Sequence, residues 1–304
     1  MTSTGTLRIG SRGSRLARAQ TDLAMAALRA TGLDGPMEVV EISTRGDAIS
    51  ARRPSGGWES TDGQFTSELE RALLDGRVDV VVHSYKDLPT APTPGLVIAA
   101  VLERGDPRDC LLTRHEGGLE GLPFGARVAT SSPRRAAQLA AARPDLVTCP
   151  IRGNVESRLA RLERGEFDAV MLAAAGLDRL GLPISPEARL RLDLVLPAPA
   201  QAALAVQARS HDETLLAALA AADHAPTRIA VEAERALLRR IGGGCLAPLG
   251  TFGEVHDGLL RLRAAYEARD GWFVRAEASG PAADAAAVVE AAAARTLDAI
   301  GAPA

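Results

Sequence analysis

The 304-residue chain is 46% hydrophobic and 24% charged, with a formal net charge of −3, which is the composition of an ordinary globular protein of two or three domains. The slightly acidic balance and an aromatic content of only 3% argue against a nucleic-acid-binding protein. The N-terminus lacks the apolar core of a signal peptide and no apolar run reaches the roughly 18 residues of a membrane span, so we expect a cytoplasmic protein without a membrane partner.

Strand and helix patterns alternate over the N-terminal third of the chain. Apolar runs typical of strands occupy 7–10, 37–44, 78–84 and 96–102. Apolar residues at helical spacing run from Leu16 to Ala30, and again from Phe65 to Leu73. Residues 48–63 have no period and are rich in Gly, Ser and Pro, which predicts a long loop. This alternation predicts an α/β sheet.

A second α/β unit follows the first. Strand patterns cover 127–132, 145–151 and the start of 168–176, and Pro133 is placed to be the first residue of a helix. Residues 196–209 contain two prolines and are predicted to cross back toward the first unit, ahead of a further helix.

The pattern changes from about residue 222. A helix is predicted over 231–241. Asp-Gly pairs at 257–258 and 270–271 separate strand-like runs, which predicts a three-stranded antiparallel meander before an alanine-rich helix. We therefore divide the chain into three predicted domains: 1–103 with 198–219, 104–197, and 220–304.

Three turns rich in Ser and Arg each follow a predicted strand and open a helix. They are GSRGS (10–14), TSSPRR (130–135) and RGNVESR (152–158). Helix N-termini expose unpaired N–H groups and the positive end of a dipole, and arginines add bidentate donors for carboxylate or phosphate. A solvated face is the alternative explanation of any one such turn. Their recurrence at strand ends, where α/β sheets bind ligands, favours a site for a small polyanion.

Cys245 lies in the stretch IGGGCLAPLG (241–250), where glycines remove side-chain bulk around the sulfur. The three cysteines are widely spaced and form no Cys/His cluster, which argues against a zinc site. A reducing compartment argues against a disulfide. Cys245 is then either an inert buried thiol or a nucleophile.

Lys86 is the only lysine of the chain and precedes Asp87 in HSYKDLPT (83–90). Asp87 could transfer protons or stabilise a developing cation. A structural ion pair and a Schiff-base lysine are the alternatives, and the spacing alone does not rank the three.

The motifs HSYKDLP, TRGD, DPRD, TSSPRR, IRGNVESRL, AAAGLDRLGL and GGGCLAPLG occur here in an order and at spacings that resemble the porphobilinogen deaminase (hydroxymethylbilane synthase) family. The resemblance covers about residues 7–253. It implies two α/β domains of the type II periplasmic-binding-protein fold and a small α+β C-terminal domain.

The resemblance implies a transferase that joins four porphobilinogen molecules, with loss of ammonia, into linear hydroxymethylbilane for tetrapyrrole biosynthesis. Its cofactor would be a dipyrromethane bound to Cys245 through a thioether, and Asp87 and Lys86 would be catalytic. Lys86 and Asp87 would also contact the cofactor, together with Arg12, Ser14, Ser132, Arg134, Arg135, Arg152 and Arg158. The substrate would be bound by Arg12, Gln20, Phe65, Arg152, Arg158 and Arg179. The family expectation is a monomer, with loop 48–63 as a lid over the cleft.

Some positions depart from the family pattern. Trp58 and Asp62 stand where basic residues are common, which weakens any claim that this loop is basic. Ala200 and Ala202 replace glycines, and Gln207 replaces a glutamate. The added methyl groups matter only if φ is positive or a ligand approaches closely.

The alternative function is a non-catalytic module that binds a polycarboxylate. It accounts for the arginine-rich turns and for a hinged cleft. It does not account for Cys245 in its glycine loop or for the third domain.

Overall fold

A computed structural model of the chain describes residues 5–44, 66–242, 247–268, 271 and 273–301. Its first sheet has the strand order β2-β1-β3-β9-β4. β1 is parallel to β2 and β3, whereas β9 is antiparallel to both β3 and β4. The strands are β1 (Leu7–Ser11), β2 (Met37–Glu41), β3 (Val80–Ser84), β4 (Leu96–Val101) and β9 (Leu204–Arg209).

The second sheet has the order β5-β8-β6-β7. β6 is parallel to β7 and β8, and β5 is antiparallel to β8. The strands are β5 (Asp109–Thr113), β6 (Arg127–Ala129), β7 (Val147–Cys149) and β8 (Ala169–Ala173). Taken from the other edge, β7-β6-β8-β5 repeats the connectivity of β2-β1-β3-β9, so the two α/β units have one plan and each contains an antiparallel crossing strand.

The predicted fold class is confirmed, with two differences at the crossings. β5 was not predicted as a strand, and β9 lies inside the stretch predicted only as a crossing. Each begins directly after a segment in which the chain passes between the units, at 102–108 for β5 and 196–203 for β9. The division into domains at 103/104, 197/198 and 219/220 stays a prediction.

The strands predicted over 127–132 and 145–151 are shorter than expected. The Thr130 N–H still donates to the Cys149 carbonyl at 2.8 Å. Beyond it the hydrogen bonds are made by a side chain: Ser131 Oγ donates to the Ile151 carbonyl at 2.7 Å and accepts from the Ile151 N–H at 2.8 Å. These hydroxyl bonds replace the backbone ladder and release the chain into the following helix.

Helices surround the two sheets. They are α1 (Arg15–Ala30), α2 (Ser67–Leu74), α3 (Pro133–Ala142), α4 (Val155–Glu163), α5 (Ala174–Arg179) and α6 (Glu213–Ala220). Ser14, Ser132 and Asn154 cap α1, α3 and α4 by accepting from backbone N–H groups, and Pro133 is the first residue of α3 as predicted. Among the helices of the described segments, none combines the length and apolarity needed to cross a bilayer.

The C-terminal part is the predicted antiparallel meander with helices. β10 (Leu249–His256), β11 (Leu259–Glu267) and β12 (Phe273–Pro281) pack with α7 (Ala225–Ile241) and α8 (Ala285–Ala299) around one apolar core. Positive φ values at Asp257 (49°) and Gly258 (74°) form the predicted turn between β10 and β11. Asp270, in the second predicted turn, lies outside the described residues.

Candidate active site

The Lys86–Asp87 pair lies on a short 3₁₀ turn, Tyr85–Asp87, directly after buried strand β3. Asp87 is exposed and Lys86 is half-buried. The preceding Ser84 accepts a hydrogen bond at 2.8 Å from the amide of Gln20, a buried residue of α1. Gln20, predicted to bind substrate, therefore lies beside the turn that carries the predicted catalytic residues.

Gln201, in the crossing segment before β9, holds Lys86. Its Oε1 accepts from Lys86 Nζ at 3.2 Å, and its Nε2 donates to Asp109 Oδ1 at 2.9 Å and to the Pro107 carbonyl at 2.8 Å. Burial lowers the pKa of Lys86 to about 8, although Asp87 and Asp109 act in the opposite direction. Lys86 is therefore a cation that gives up its proton more readily than an ordinary lysine.

Asp109 joins the two arginines at the start of α3. Its side chain is fully buried, and it accepts from Arg134 Nη1 at 2.7 Å and from Arg135 Nη2 at 2.6 Å. Burial alone raises the pKa of Asp109, but the two guanidinium groups outweigh it and hold that pKa well below its usual range. Both arginines of TSSPRR are thus anchored internally by Asp109.

Arg158 and Arg179 are half-buried cations whose hydrogen bonds in the described structure go to carbonyl groups. Arg158 Nε donates to the Gly153 carbonyl at 2.8 Å, and Arg179 donates to the Ala202 carbonyl. Burial lowers the pKa of each to about 10, with Arg135 and Arg161 adding to the effect at Arg158. Neither forms a salt bridge with a carboxylate in the described part of the chain.

Arg12 and Arg152 are half-buried and lie in the turns that precede α1 and α4. Ser14 and Ser132 use their hydroxyls as helix caps, accepting from the N–H groups of Ala17 and Arg135. The three turns lie at the carboxyl ends of the parallel strands β1, β6 and β7, as the sequence predicts.

A cavity of about 80 Å³ lies where the two α/β units meet the C-terminal part. Lys86 of the first α/β unit lines this cavity, as do Ser132 and Arg134 of the second unit and Arg235 of α7, in the C-terminal part. Ala247, two residues after Cys245, also lines it. The structure therefore brings part of the predicted set together; Phe65, Cys245 and the predicted lid 48–63 lie outside the described residues.

Sequence reasoning missed Asp109, Gln201 and Arg235. Asp109 was part of the DPRD motif and Gln201 lay between two substituted glycine positions, yet nothing in the local pattern pointed to their partners. Arg235 lies in an ordinary amphipathic helix, and nothing in the sequence around it indicated a site residue.

The positions that depart from the family pattern have distinct structural settings. Ala200 and Ala202 both have positive φ, 59° and 73°. Gln207 is buried, and its Oε1 lies 3.0 Å from His83 Nε2 while its Nε2 donates to Glu70 Oε1 at 3.0 Å. Trp58 and Asp62 lie outside the described residues.

The donor groups suit a ligand with several carboxylates. Arg135 Nε is buried without a hydrogen-bond partner in the described structure. Two half-buried guanidinium groups, Arg158 and Arg179, are not neutralised by salt bridges there, and burying an unpaired charge is costly unless an anion joins it. Dipyrromethane, which carries carboxylate side chains on its pyrroles, fits this donor set.

The fold and this site define a protein with two α/β units of common plan and a set of donors that suits a polycarboxylate ligand. The sequence profile described as porphobilinogen deaminase, dipyromethane cofactor binding domain, matches residues 7–217, and the profile of the porphobilinogen deaminase C-terminal domain matches residues 228–298. The chain is 48% identical to the porphobilinogen deaminase of Desulforudis audaxviator, over 90% of this chain and 88% of the relative. It is 44% identical to that of Roseiflexus castenholzii, over 97% of each.

The chain belongs to the porphobilinogen deaminase family. It is a transferase of tetrapyrrole biosynthesis that makes hydroxymethylbilane from porphobilinogen, with dipyrromethane as its cofactor. Among solved structures, the chain is similar to the periplasmic VFT2 domain of Bordetella pertussis BvgS, with a TM-score of 0.41 and 13% identity over 72% of this chain and 86% of that one.

Proposed function

We propose that the Tyr85–Asp87 turn is the catalytic centre for porphobilinogen polymerisation and that the adjoining cavity holds the dipyrromethane. The lining of the cavity carries this proposal. Lys86, Ser132 and Arg134 come from different units and surround it together with Ala247. Only Leu246 separates Ala247 from the predicted anchor Cys245 in the sequence.

The thiol of Cys245 is the proposed attachment point, through a thioether. When bound, the cofactor would supply the nucleophilic pyrrole carbon to which the first porphobilinogen is added. The glycines before Cys245 leave room for that bulky group.

Asp87 and Lys86 have different proposed roles at the same turn. The exposed carboxylate of Asp87 accepts the pyrrole N–H of the substrate and stabilises the positive charge that develops on the substrate as ammonia leaves. It also moves the proton that the pyrrole carbon loses when the new carbon–carbon bond has formed. Lys86, still mostly protonated at neutral pH, binds a substrate carboxylate.

The arginines are proposed to bind the carboxylates of cofactor and substrate. Arg158 and Arg179 have guanidinium N–H groups not committed to carboxylates in the described structure, and Arg135 has a buried Nε without a partner there. Arg134 lines the cavity directly. Arg12 and Arg152, from the turns before α1 and α4, complete the proposed set with the capping residues Ser14 and Ser132; Gln20 and Phe65 are proposed to contact the substrate.

One experiment compares the wild type with Cys245→Ser and Asp87→Asn by intact mass and by product formation from porphobilinogen. We expect an added mass of two linked pyrroles on the wild type and on Asp87→Asn, and none on Cys245→Ser. Product formation should fall by about 10²–10⁴-fold in Asp87→Asn, the usual contribution of a positioned acid or base. Asp22→Asn, on the exposed face of α1, is the control and should behave as the wild type.

Two results would contradict the proposal. Full activity of Asp87→Asn would remove the catalytic role of the turn. A wild type whose mass stays unchanged with porphobilinogen, and which releases no tetrapyrrole, would favour the polycarboxylate-binding module instead. We also propose that the protein works as a cytoplasmic monomer, an expectation that comes from the resemblance of its sequence.

A further inference from the structure

The Tyr85–Asp87 turn is weakly held by hydrogen bonds within itself. It is a single 3₁₀ turn closed by one long hydrogen bond, from the Leu88 N–H to the Tyr85 carbonyl at 3.3 Å. Such short turns have poor hydrogen-bond geometry. The Tyr85 N–H is held from outside, by the Ala203 carbonyl at 3.0 Å. Its conformation therefore depends on contacts from other parts of the chain.

Arg235 of α7 supplies several of those contacts. Nη1 donates to the carbonyls of Tyr85 at 3.2 Å and Leu88 at 2.9 Å, and Nη2 donates to the carbonyl of Pro89 at 2.6 Å. The guanidinium also lies over the Tyr85 ring, 4.5 Å from its centroid. Arg235 is only 7% exposed and Tyr85 only 4%. One side chain thus fixes the backbone on both sides of Lys86 and Asp87.

The same face of α7 also contacts the tyrosine hydroxyl. Tyr85 Oη donates to Glu232 Oε1 at 3.4 Å, and Glu232 is three residues before Arg235, so the two side chains are neighbours on the helix. Burial raises the pKa of Tyr85, and the Glu232 charge adds to the rise, so this hydroxyl keeps its proton. Backbone and side chain of Tyr85 are therefore both held by α7.

The helix that holds the turn also leads to the proposed cofactor anchor. α7 ends at Ile241, and Gly242 caps it in the left-handed conformation with φ 79°. Residue 242 is seven positions beyond Arg235, about 10 Å along an α-helix. Glu234, next to Arg235 and fully buried, accepts from the backbone N–H groups of Ala200 at 2.6 Å and Gly253 at 2.7 Å. α7 is thereby fixed to the crossing segment and to β10.

We infer that Arg235 is a positioning residue for the polymerisation reaction: it holds the Lys86–Asp87 turn in place against α7. The inference rests on the proposed function of that turn. A lysine cannot replace this arginine, because three carbonyl groups and a ring face need a planar fork of donors rather than a single ammonium.

The test compares Arg235→Lys with Arg239→Lys, one helical turn further along α7. Arg239 is the matched control because it is exposed and its one hydrogen bond within the described residues goes to the Thr90 carbonyl, at 3.4 Å, beyond the turn. Intact mass first establishes the cofactor content of each protein. For cofactor-loaded Arg235→Lys we expect kcat to fall by about tenfold to a hundredfold with KM changed less than about threefold, the range that a misplaced catalytic group produces.

A second readout is independent of turnover. Hydrogen–deuterium exchange of the amides from Tyr85 to Leu88 should be faster in Arg235→Lys and unchanged in Arg239→Lys. If Arg235→Lys does not fold, Tyr85→Leu keeps the guanidinium and removes the ring beneath it, and it should also lower kcat and speed exchange over the turn.

The outcomes separate the possibilities. Unchanged kcat and unchanged exchange over the turn, in whichever variant folds, would overturn the inference. A large rise in KM at unchanged kcat would do so too, since it would make Arg235 a ligand contact rather than a positioning residue. A loaded wild type that releases no tetrapyrrole in the same assay would instead be a failure of the proposed function.

Discussion

Ala200 and Ala202 adopt a left-handed backbone conformation that favours glycine, so the methyl group of each introduces backbone strain. Ala200 and Ala202 have φ of 59° and 73°, where a Cβ atom costs roughly 1–2 kcal/mol. Their surroundings hold them there, because Glu234 accepts from the Ala200 N–H and Arg179 donates to the Ala202 carbonyl. The sequence showed that alanines replace glycines at both positions, but the positive φ values are known only from the structure.

We predict that Ala200→Gly is less destabilising than Ala203→Gly. Both alanines are buried in the same apolar cluster, so both variants lose about 0.8 kcal/mol of methyl burial and gain unfolded-state entropy. Only Ala200→Gly relieves a positive φ. Urea unfolding should therefore give free energies of unfolding that differ by about 1–2 kcal/mol in favour of Ala200→Gly. Equal losses in the two variants would show that Ala200 is not strained.

Neighbouring strands and a helix are joined by a buried polar network that includes a departure from the family pattern. His83 of β3 bonds Gln207 of β9, and Gln207 bonds Glu70 of α2. Burial lowers the pKa of His83 to about 4, so the ring is neutral in the folded protein at neutral pH. Because the unfolded pKa is higher, the unfolded chain takes up the proton first. The contribution that neutral, buried His83 makes to the free energy of unfolding is therefore complete above about pH 6.5 and is lost as pH falls toward 4.

We predict that Gln207→Glu changes this pH dependence. The substitution would place a second carboxylate against Glu70 and beside His83, so the variant loses a donor and gains repulsion at pH 8. At lower pH His83 takes up a proton next to a carboxylate, which raises its pKa. The loss of unfolding free energy relative to wild type should therefore be about 2 kcal/mol at pH 8 and smaller at pH 5.

The control for this prediction is the exchanged pair, Glu70→Gln with Gln207→Glu. It restores an amide donor opposite a carboxylate, so we expect it to recover most of the stability at pH 8. The free energy of unfolding of the wild type, of Gln207→Glu and of the exchanged pair is measured at pH 8 and at pH 5. A Gln207→Glu loss that stays the same or grows on acidification would contradict the assigned network.

Elements with local signals were predictable from the sequence, and those defined by distant contacts were not. β1, β3 and the meander showed apolar runs or Asp-Gly turns, and the caps at Ser14 and Ser132 followed from residue type. β5 and β9 were not predicted as strands, because each pairs with strands that lie far from it in the sequence. The pairing of Arg134 and Arg135 with Asp109 likewise joins residues about 25 positions apart and had no local pattern.

For the whole molecule, the charge of Lys86 depends on both α/β units. Burial lowers the pKa of Lys86 to about 8; Asp87 and Asp109 oppose the fall, and Arg134 and Arg135 add to it. Asp109 begins β5, the arginines begin α3, and Gln201 of the second crossing connects Asp109 to the ammonium group. The motifs pointed to Lys86, Arg134 and Arg135, whereas the contacts through Asp109 and Gln201 are visible only in the folded structure.

We predict that KM for porphobilinogen rises as pH increases through about 8, because the Lys86 ammonium that binds a substrate carboxylate loses its proton. Asp109→Asn removes an anion that raises this pKa and leaves both arginines charged, so the midpoint should move to lower pH. The variant should also lose about 3–5 kcal/mol of stability, since one partner of a buried ion pair is removed, and its kinetics are best measured at low temperature. Asp106→Asn is the control: Asp106 pairs with Arg108 and Arg189, so its removal should leave the midpoint near the wild-type value. If Asp109→Asn folds, binds cofactor and keeps the wild-type midpoint, then Lys86 does not carry the pH dependence of substrate binding.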